Sequence, residues 1–238
     1  MNRKFKGVLA LFKTISALII LSAGVLFCAP QAAESAAQEV DGATAAILEA
    51  ISDGADKVIT AVPGKSKEKA LVRAYEKKEN VWTLRFTAEG YFGKNGVKAD
   101  KKEGDKATPS GIYTFERAFG VAEDPGSILP YTKVGKNDVW VDDPKSKHYN
   151  KWADSSSPEK DWDSAEQLIK YAKAYKYAAA LNYNNNPVIP GNGSAIFLHC
   201  STGNATAGCI SVPETAMVLF LGFIRDDTKI AISDDGEF

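Results

Sequence analysis

The sequence is poor in the residues that most often carry chemistry near neutral pH. Its 238 residues include 2 histidines and 3 cysteines, so a site that needs an imidazole or a thiol can draw on few positions. Neither sign of charge dominates, since 29 Lys and Arg stand against 30 Asp and Glu, for a formal net charge of -1. The chain therefore shows no basic excess that would indicate a nucleic-acid partner and no acidic excess that would indicate a disordered tail. We predict no nucleic-acid partner.

The chain does have enough apolar sequence for one well-filled core. Hydrophobic residues make up 45% and charged residues 25%, which is ordinary for a globular protein of this length. No internal repeat and no long linker divides the sequence. We therefore predict a helical lead-in at residues 38–56 and one main domain at residues 57–238.

The N-terminus has the order of a secretory signal peptide. Basic residues within positions 3–13 precede an apolar run at 15–27, and small residues follow Cys28. We place the end of the signal near residue 33 and expect an exported protein in the periplasm, cell wall or extracellular space. An uncleaved anchor is the alternative, and it would be the sole membrane contact, although the run is short for a full span. Lipid attachment at Cys28 is disfavoured by the bulky Phe27 before it.

Short strands dominate the pattern, so we predict a mainly β fold, closed or sandwiched, with a few short helices. Apolar runs predict strands at residues 57–62, 70–75, 81–87, 112–115, 139–141, 176–181 and 195–199. Helix signals place helices at residues 38–52, after a capping box from Asp163 to Glu166, and from Pro213 to Phe223.

A histidine and a cysteine close together late in the chain form the most informative pattern. An apolar run ends in His199, and Gly208 and Cys209 follow after a short polar loop. An imidazole that takes the thiol proton produces a thiolate, which attacks carbonyl groups well. The backbone N–H groups of Gly208 and Cys209 could then point at a developing oxyanion. A buried cysteine and a strand-end histidine would give the same pattern, so the spacing alone leaves both interpretations open.

Cys200, next to His199, adds two further interpretations. In an exported protein, Cys200 and Cys209 could form a disulfide, which would occupy the proposed nucleophile. Alternation along a strand places Cys200 on the face opposite His199, so we expect a packing residue whose reversible oxidation stays open. A metal site made of these three residues is the other interpretation, and it lacks an evident fourth zinc ligand. We predict no metal and no cofactor.

Several short blocks also occur in a fixed order along the chain. Residues 191–199 read Gly-Asn-Gly-Ser-Ala-Ile-Phe-Leu-His, and residues 206–209 read Thr-Ala-Gly-Cys. Further blocks lie at residues 58–63, 93–96, 103–111, 142–150 and 182–187. Together they resemble the catalytic domains of the L,D-transpeptidase family (YkuD-type), over roughly residues 57–232. The Thr-Ala-Gly-Cys wording resembles one subgroup of that family.

The resemblance implies a β-sandwich or barrel domain at residues 57–238 that acts on peptidoglycan stem peptides. It implies that Cys209 attacks the third residue of a donor stem, releases the terminal D-amino acid and holds the peptide as a thioester. An amine of a neighbouring acceptor stem then takes the acyl group and forms a cross-link. His199 is the implied base, oriented by the main-chain carbonyl of Cys200, and the Gly208 backbone belongs to the implied oxyanion site.

Two positions depart from the family pattern. Many members have a histidine and an arginine where this chain has Ala207 and Ser211. The resemblance nevertheless implies a substrate-binding set comprising Asp143, Tyr149, Asn150, Thr206 and Ser211. The alternative for the 142–150 segment is a turn in which carboxylates satisfy backbone N–H groups.

Three functions stay open at the level of sequence. The first is a secreted cysteine acyltransferase that forms L,D cross-links or exchanges the terminal D-amino acid. The second is a hydrolytic L,D-carboxypeptidase on the same stem, in which water replaces the amine. The third is a non-catalytic cell-wall-binding module that keeps the cleft without turnover.

Overall fold

The computed structural model of the protein describes residues 38–238, so the expected signal segment at 1–33 and Cys28 lie outside the described residues. The described chain is mainly β, which confirms the predicted fold class. One 11-stranded sheet curls into a half-barrel, and a 3-stranded and a 2-stranded sheet flank it. Among these residues, no helix has the length and apolar character needed to cross a membrane.

The strands, in chain order, are β1 (Gln38–Glu39), β2 (Lys57–Pro63), β3 (Lys69–Lys78), β4 (Val81–Tyr91), β5 (Val97–Lys98), β6 (Thr108–Pro109), β7 (Gly111–Tyr113), β8 (Phe115–Gly120), β9 (Tyr131–Lys133), β10 (Asp138–Val141), β11 (Trp152–Asp154), β12 (Ala165–Gln167), β13 (Ala178–Leu181), β14 (Phe197–Cys200), β15 (Ile210–Val212) and β16 (Lys229–Ile232). The helices are α1 (Gly42–Ser52), α2 (Glu214–Leu221) and two short 3-10 helices (Leu168–Tyr171 and Ala174–Lys176).

The lead-in helix α1 starts later than the apolar pattern indicates. Asp41 caps it, because its side chain accepts a hydrogen bond from the N–H of Thr44 at 2.8 Å. The residues before the cap form β1, which pairs with β4 instead of extending the helix. Leu48 and Ile51 face the sheet and pack in one cluster with Trp82. The lead-in is therefore attached to the same sheet that carries the rest of the domain.

The strand order places His199 and Cys209 side by side. The sheet runs β7-β16-β2-β3-β4-β15-β14-β13-β8-β9, so β14 and β15 are neighbours, and they are parallel. Leu198 pairs with Ile210, which puts Cys209 level with Phe197, two positions before His199. The 201–209 loop carries the chain back to the start of β15. Parallel pairing thus brings two residues that are ten positions apart in the chain to nearby positions on one face of the sheet.

Strand β14 separates two environments. Leu198 and Cys200 point into the main core, which lies between the curled sheet and α2. Phe197 points the other way and packs with Cys209 and Tyr175 in a second cluster. This alternation is the period of two that a strand imposes on its side chains. Cys200 and His199 accordingly have different surroundings.

The prediction of a helix after Asp163 is wrong. The chain forms β12 there and pairs with β10, with Glu166 opposite Trp140, before a short 3-10 turn. The capping box does not close, because the Asp163 N–H donates to Asp143 Oδ2 and Glu166 accepts the Tyr175 hydroxyl. Long-range partners therefore take both groups that a local helix start would have needed.

The C-terminal helix lies close to its predicted place. Helix α2 begins at Glu214, with Pro213 as the cap, and ends at Leu221. The 112–115 strand is the less accurate prediction, since the structure splits this region into β7 and β8, which pair with different strands. Thr114, which belongs to neither strand, separates them.

Candidate active site

A cleft of about 640 Å³ opens beside the ends of β14 and β15. His199 and Cys209 both line it, and the sequence-predicted pair therefore meets in one cavity. Its other walls come from Asp142 and from four segments, which are residues 101–106, 164–175, 194–196 and 202–208. We call this cavity the cleft throughout. Most of its walls are loops, although the two central residues sit on or beside strands.

The His199 ring is held in one orientation. Its Nδ1 lies 2.8 Å from the Cys200 carbonyl oxygen, and a carbonyl accepts hydrogen bonds only, so Nδ1 carries the proton. The edge of Tyr175 packs against the ring at 5.4 Å between centroids. Burial lowers the pKa of His199 to about 4, so the ring is neutral near pH 7. The remaining nitrogen, Nε2, is thus available to accept a proton.

The Cys209 thiol is also buried and neutral. Its S–H donates to the Ala195 carbonyl at 3.2 Å, and the Phe197 N–H donates to the sulfur at 3.4 Å. Burial and, to a smaller extent, the nearby Glu166 carboxylate raise the pKa of Cys209 to about 12. The resting pair is therefore a thiol and a neutral imidazole. A proton must move from sulfur to nitrogen before or during attack on a carbonyl.

Two threonines fix the backbone of Cys209. The Thr206 hydroxyl donates to the Cys209 carbonyl at 2.7 Å, and the Thr108 hydroxyl donates to the same oxygen at 3.2 Å. Thr206 also accepts the Gly208 N–H at 3.1 Å, so that N–H of the predicted oxyanion site belongs to a local turn. Gly208 has φ +152°, and a Cβ there would lie 3.0 Å from the Ala107 carbonyl oxygen. Thr206 lines the cleft, as predicted for a substrate-binding residue, but its hydroxyl is used by the turn.

Ala195 holds an unusual conformation next to the thiol. Its φ is +54°, which is rare for a residue with a Cβ. The Asn150 side chain stabilises it, because Asn150 Oδ1 accepts the Ala195 N–H at 3.0 Å. The same turn aims the Ala195 carbonyl at the Cys209 sulfur. Backbone strain of this kind clusters at functional sites, where surrounding contacts must maintain it.

Tyr149 and Asn150 lie behind the cleft wall and not on its surface. The Tyr149 hydroxyl donates to Glu103 Oε2 and accepts the Gly193 N–H at 3.0 Å. Asn150 Oδ1 also accepts the Trp140 indole N–H at 2.9 Å, and its amide nitrogen donates to two backbone carbonyls. Both side chains are buried and their polar atoms are occupied. Through the bonds to the N–H groups of Gly193 and Ala195, these two side chains stabilise the 193–195 loop.

Asp143 and Ser211 are likewise not brought to the cleft. Asp143 accepts backbone N–H groups from Lys145 at 3.0 Å and from Asp163 at 2.8 Å, and these bonds lower its pKa. This is the capped turn that the sequence offered as the alternative. Ser211 is 1% exposed, on β15, and within residues 38–238 its hydroxyl has no hydrogen-bond partner. Neither side chain lines the cleft.

Two charged residues that sequence reasoning did not select do line the cleft. Lys101 is buried beside Gly208, and Glu166 accepts the Tyr175 hydroxyl at 2.6 Å. Burial, with the nearby charges of Asp142 and Glu103, raises the pKa of Glu166 to about 7. Lys101 precedes the 103–111 block by two positions, which is the one available signal for it. Glu166 lay in a segment that the sequence predicted as a helix.

The structure bears directly on the disulfide and metal-site interpretations of the two cysteines. Cys200 and Cys209 are both free thiols, and Cys200 packs in the main core with its pKa raised to about 11 by burial. Across residues 38–238, no group of three or more His, Cys, Asp or Glu side chains is placed to hold a metal ion.

Comparison with known proteins identifies the family. A family model described as the L,D-transpeptidase catalytic domain (YkuD) matches residues 60–232, which is most of the chain. The chain belongs to the L,D-transpeptidase catalytic domain family. No curated protein matches it. A solved structure, that of Bdellovibrio bacteriovorus Bd1075, shares 16% sequence identity with a TM-score of 0.39. That match covers 74% of this chain and 48% of the Bd1075 chain, so this chain spans about half the length of that protein.

Membership in the L,D-transpeptidase family confirms what the ordered blocks predicted about fold class and family. The subgroup suggested by Thr-Ala-Gly-Cys stays a prediction, as does the role of each site residue. Both the nucleophile candidate and the base candidate lie inside the matched range of 60–232.

Proposed function

We propose that this L,D-transpeptidase family protein is an exported cysteine acyltransferase that works on peptidoglycan stem peptides through a Cys209 thioester. The observation that carries the proposal is the arrangement of His199 and Cys209 in one cleft. The Cys200 carbonyl fixes the protonated Nδ1 of His199, which leaves Nε2 as the proton acceptor in the cleft that Cys209 also lines. An orienting carbonyl, a base and a nucleophile form the usual three-part arrangement of covalent catalysis.

The first half-reaction forms the thioester. The Cys209 sulfur attacks the carbonyl carbon of the third stem residue, and its proton passes to His199 Nε2 as the S–C bond forms. The carbonyl electron pair moves to oxygen, and we assign the Cys209 N–H as a donor to that oxyanion because the Gly208 N–H is held by Thr206. The intermediate then expels the terminal D-amino acid. Its amine takes the proton from His199 as the C–N bond breaks.

The second half-reaction releases the enzyme. An amine of an acceptor stem attacks the thioester carbonyl and gives a proton to His199. The C–S bond breaks, and the sulfur recovers that proton, which leaves an amide cross-link and the resting thiol. Water in place of the amine would give a shortened stem, which is the L,D-carboxypeptidase alternative. Both outcomes share the thioester and differ in the acceptor.

The test is mass spectrometry of the purified protein mixed with a tetrapeptide stem. We expect a mass increase equal to the stem without its terminal D-amino acid, mapped to Cys209, and a matching release of that amino acid. Cys209→Ala should lose both signals, whereas Cys200→Ala should keep them. Adding an amine acceptor should produce a cross-linked dimer, and a tripeptide product alone would instead assign the hydrolytic activity.

Two results would overturn the proposal. The first is a folded protein that releases no D-amino acid and forms no adduct, which is the outcome expected of a wall-binding module. The second is a Cys209→Ala variant that still exchanges terminal D-amino acids. Export is a separate part of the proposal and rests on the 1–33 segment. Fractionation of cells expressing the full chain should place it outside the cytoplasm, and a chain lacking 1–33 should stay inside.

A further inference from the structure

Lys101 occupies a place that two glycines keep open. A Cβ on Gly193 would lie 2.8 Å from Lys101 Cε, and a Cβ on Gly208 would lie 3.3 Å from Lys101 Nζ. Both glycines have positive φ, +105° and +152° respectively. The lysine stem therefore passes between the loop before β14 and the loop that carries the nucleophile. Its ammonium ends beside the residue directly before Cys209.

The ammonium is buried and only partly neutralised. The Lys101 side chain is 3% exposed, and its Nζ lies 3.0 Å from Asp105 Oδ1. The Lys102 carbonyl is a weaker acceptor at 3.4 Å. An ammonium has three N–H groups, so these two partners, taken within the described chain, leave one N–H for the cleft that Lys101 lines.

Stability does not explain this buried ion pair. Removing two charges from water carries a penalty that their attraction often fails to repay, and apolar replacements are frequently neutral or stabilising. The two Asp105 oxygens also accept the backbone N–H groups of Lys102 and Ala107, each at 2.9 Å. Asp105 can therefore order the 102–107 loop without a lysine. A positive charge retained beside a thiol has a chemical use that a packing residue lacks.

The charged and titratable groups around Cys209 come from several elements. Lys101, with Asp105 behind it, faces the sulfur from the 101–106 loop, and Glu166 faces it from β12. His199 on β14 and Tyr175 on the second 3-10 helix also line the cleft, and both are neutral near pH 7. The other charged or titratable residues that line it are Glu103, Lys106, Asp142 and Tyr171. Lys101 favours the thiolate electrostatically and Glu166 disfavours it. The two substitutions that neutralise them should therefore act with opposite sign.

We propose that Lys101 is a positioning residue whose buried charge stabilises the Cys209 thiolate as its proton leaves. The inference rests on the proposed function in one respect, namely that Cys209 is the nucleophile. The ammonium acts through its electric field and forms no bond to substrate. Without it, the sulfur would be deprotonated in a buried environment with a carboxylate as its charged neighbour.

The experiment measures alkylation of Cys209 by iodoacetamide in the full chain, with no stem peptide present. Peptide mapping by mass spectrometry reads Cys209 separately from the other thiols. Below the thiol pKa the rate follows the thiolate fraction, so a shift of one pKa unit changes it about tenfold at fixed pH. We expect Lys101→Met to slow alkylation at pH 8 by about tenfold, since a nearby opposite charge shifts a pKa by about one to three units.

Two further variants separate charge from structure. Glu166→Gln keeps an acceptor for the Tyr175 hydroxyl and should accelerate alkylation severalfold. Lys102→Met removes the neighbouring exposed lysine, which bonds Asn192 outside the cleft, and should leave the rate unchanged. Thermal melting establishes that each variant is folded. Loss of packing alone would move Lys101→Met and Glu166→Gln in the same direction.

The proposal is overturned if folded Lys101→Met alkylates at the wild-type rate, or if Glu166→Gln also slows the reaction. If Lys101→Met fails to fold, Glu166→Gln still tests the proposal. Unchanged or slower alkylation of Glu166→Gln would contradict an electrostatic effect on the Cys209 thiolate. Failure of the acyltransferase proposal is visible separately. It appears as an absence of thioester with stem peptide, and the iodoacetamide rates do not depend on that result.

Discussion

The 194–209 region and the 142–150 region both carry motif residues, but the structure uses them differently. In the first, His199 and Cys209 present their reactive atoms to the cleft. In the second, Asp143, Tyr149 and Asn150 use their polar atoms on backbone and buried partners. Motif residues of equal apparent weight thus divide into those that line the cleft and those that hold the neighbouring loop in place. Both groups make hydrogen bonds, so access to the cleft is what separates them.

The largest test of this comparison is His199→Gln. Glutamine fills much of the imidazole volume but cannot take a proton near pH 7, so thioester formation should fall about 10³-fold. The folded state should survive, with a thermal midpoint within about 4 °C of the wild type. Single-turnover release of D-amino acid from a stem peptide measures the first quantity, and calorimetry measures the second. Wild-type turnover in this variant would remove His199 from the reacting group.

The pH dependence of kcat/KM tests whether the neutral His199 ring is the proton acceptor. Only the neutral imidazole can accept the thiol proton, and burial lowers the pKa of His199 to about 4. Protonation of His199 should therefore leave activity level as pH falls from 7 to 5 and then reduce it about tenfold per pH unit below about pH 4. A thiolate–imidazolium pair formed in the resting enzyme would instead require a histidine pKa well above its ordinary value.

Glu166→Gln is the control for that profile. The pKa of Glu166 is raised to about 7, so any inflection near neutral pH belongs to this carboxyl and should vanish in the variant. The acid limb should remain where it is. An acid limb centred near pH 6.5 in both proteins would mean that the pKa of His199 has its ordinary value. That result would contradict the expectation that burial of the ring lowers this pKa.

Asn150→Ala tests the supporting region. It leaves the Trp140 indole N–H and the Ala195 N–H without their acceptor, and we expect a loss of about 3 kcal/mol in unfolding free energy. Because Asn150 also maintains the strained Ala195 turn, activity of the folded fraction should fall about tenfold through kcat. Asn137→Ala is the matched control, since its amide bonds one exposed hydroxyl and should cost less than about 0.5 kcal/mol. Urea unfolding and initial rates measure both effects. A raised KM with unchanged kcat would return Asn150 to a substrate-binding role.

Local signals allowed the fold class and the central pair to be predicted from sequence. Apolar alternation fixes which face of β14 each residue occupies, and an ordered set of blocks indicates the family. Glu166 could not be predicted, because its capping-box pattern is outweighed by pairing with β10 and by the Tyr175 hydroxyl. Lys101 could not be predicted either, since its meaning depends on two glycines more than 90 positions away in the chain. Partners distant in sequence leave no local periodicity to read.

Cys200→Ala is the smallest change and the most direct comparison with Cys209. Cys200 is 2% exposed and packs among the apolar residues of the main core, so the substitution removes one buried sulfur and should cost about 1 kcal/mol. The Cys200 backbone carbonyl, which orients His199, survives any side-chain change. Turnover should therefore stay within about twofold of the wild type, as expected for a substitution with no reacting atom. A large loss of kcat with little loss of stability would show that the Cys200 thiol itself takes part, and the division of β14 into a core face and a cleft face would fail at that residue.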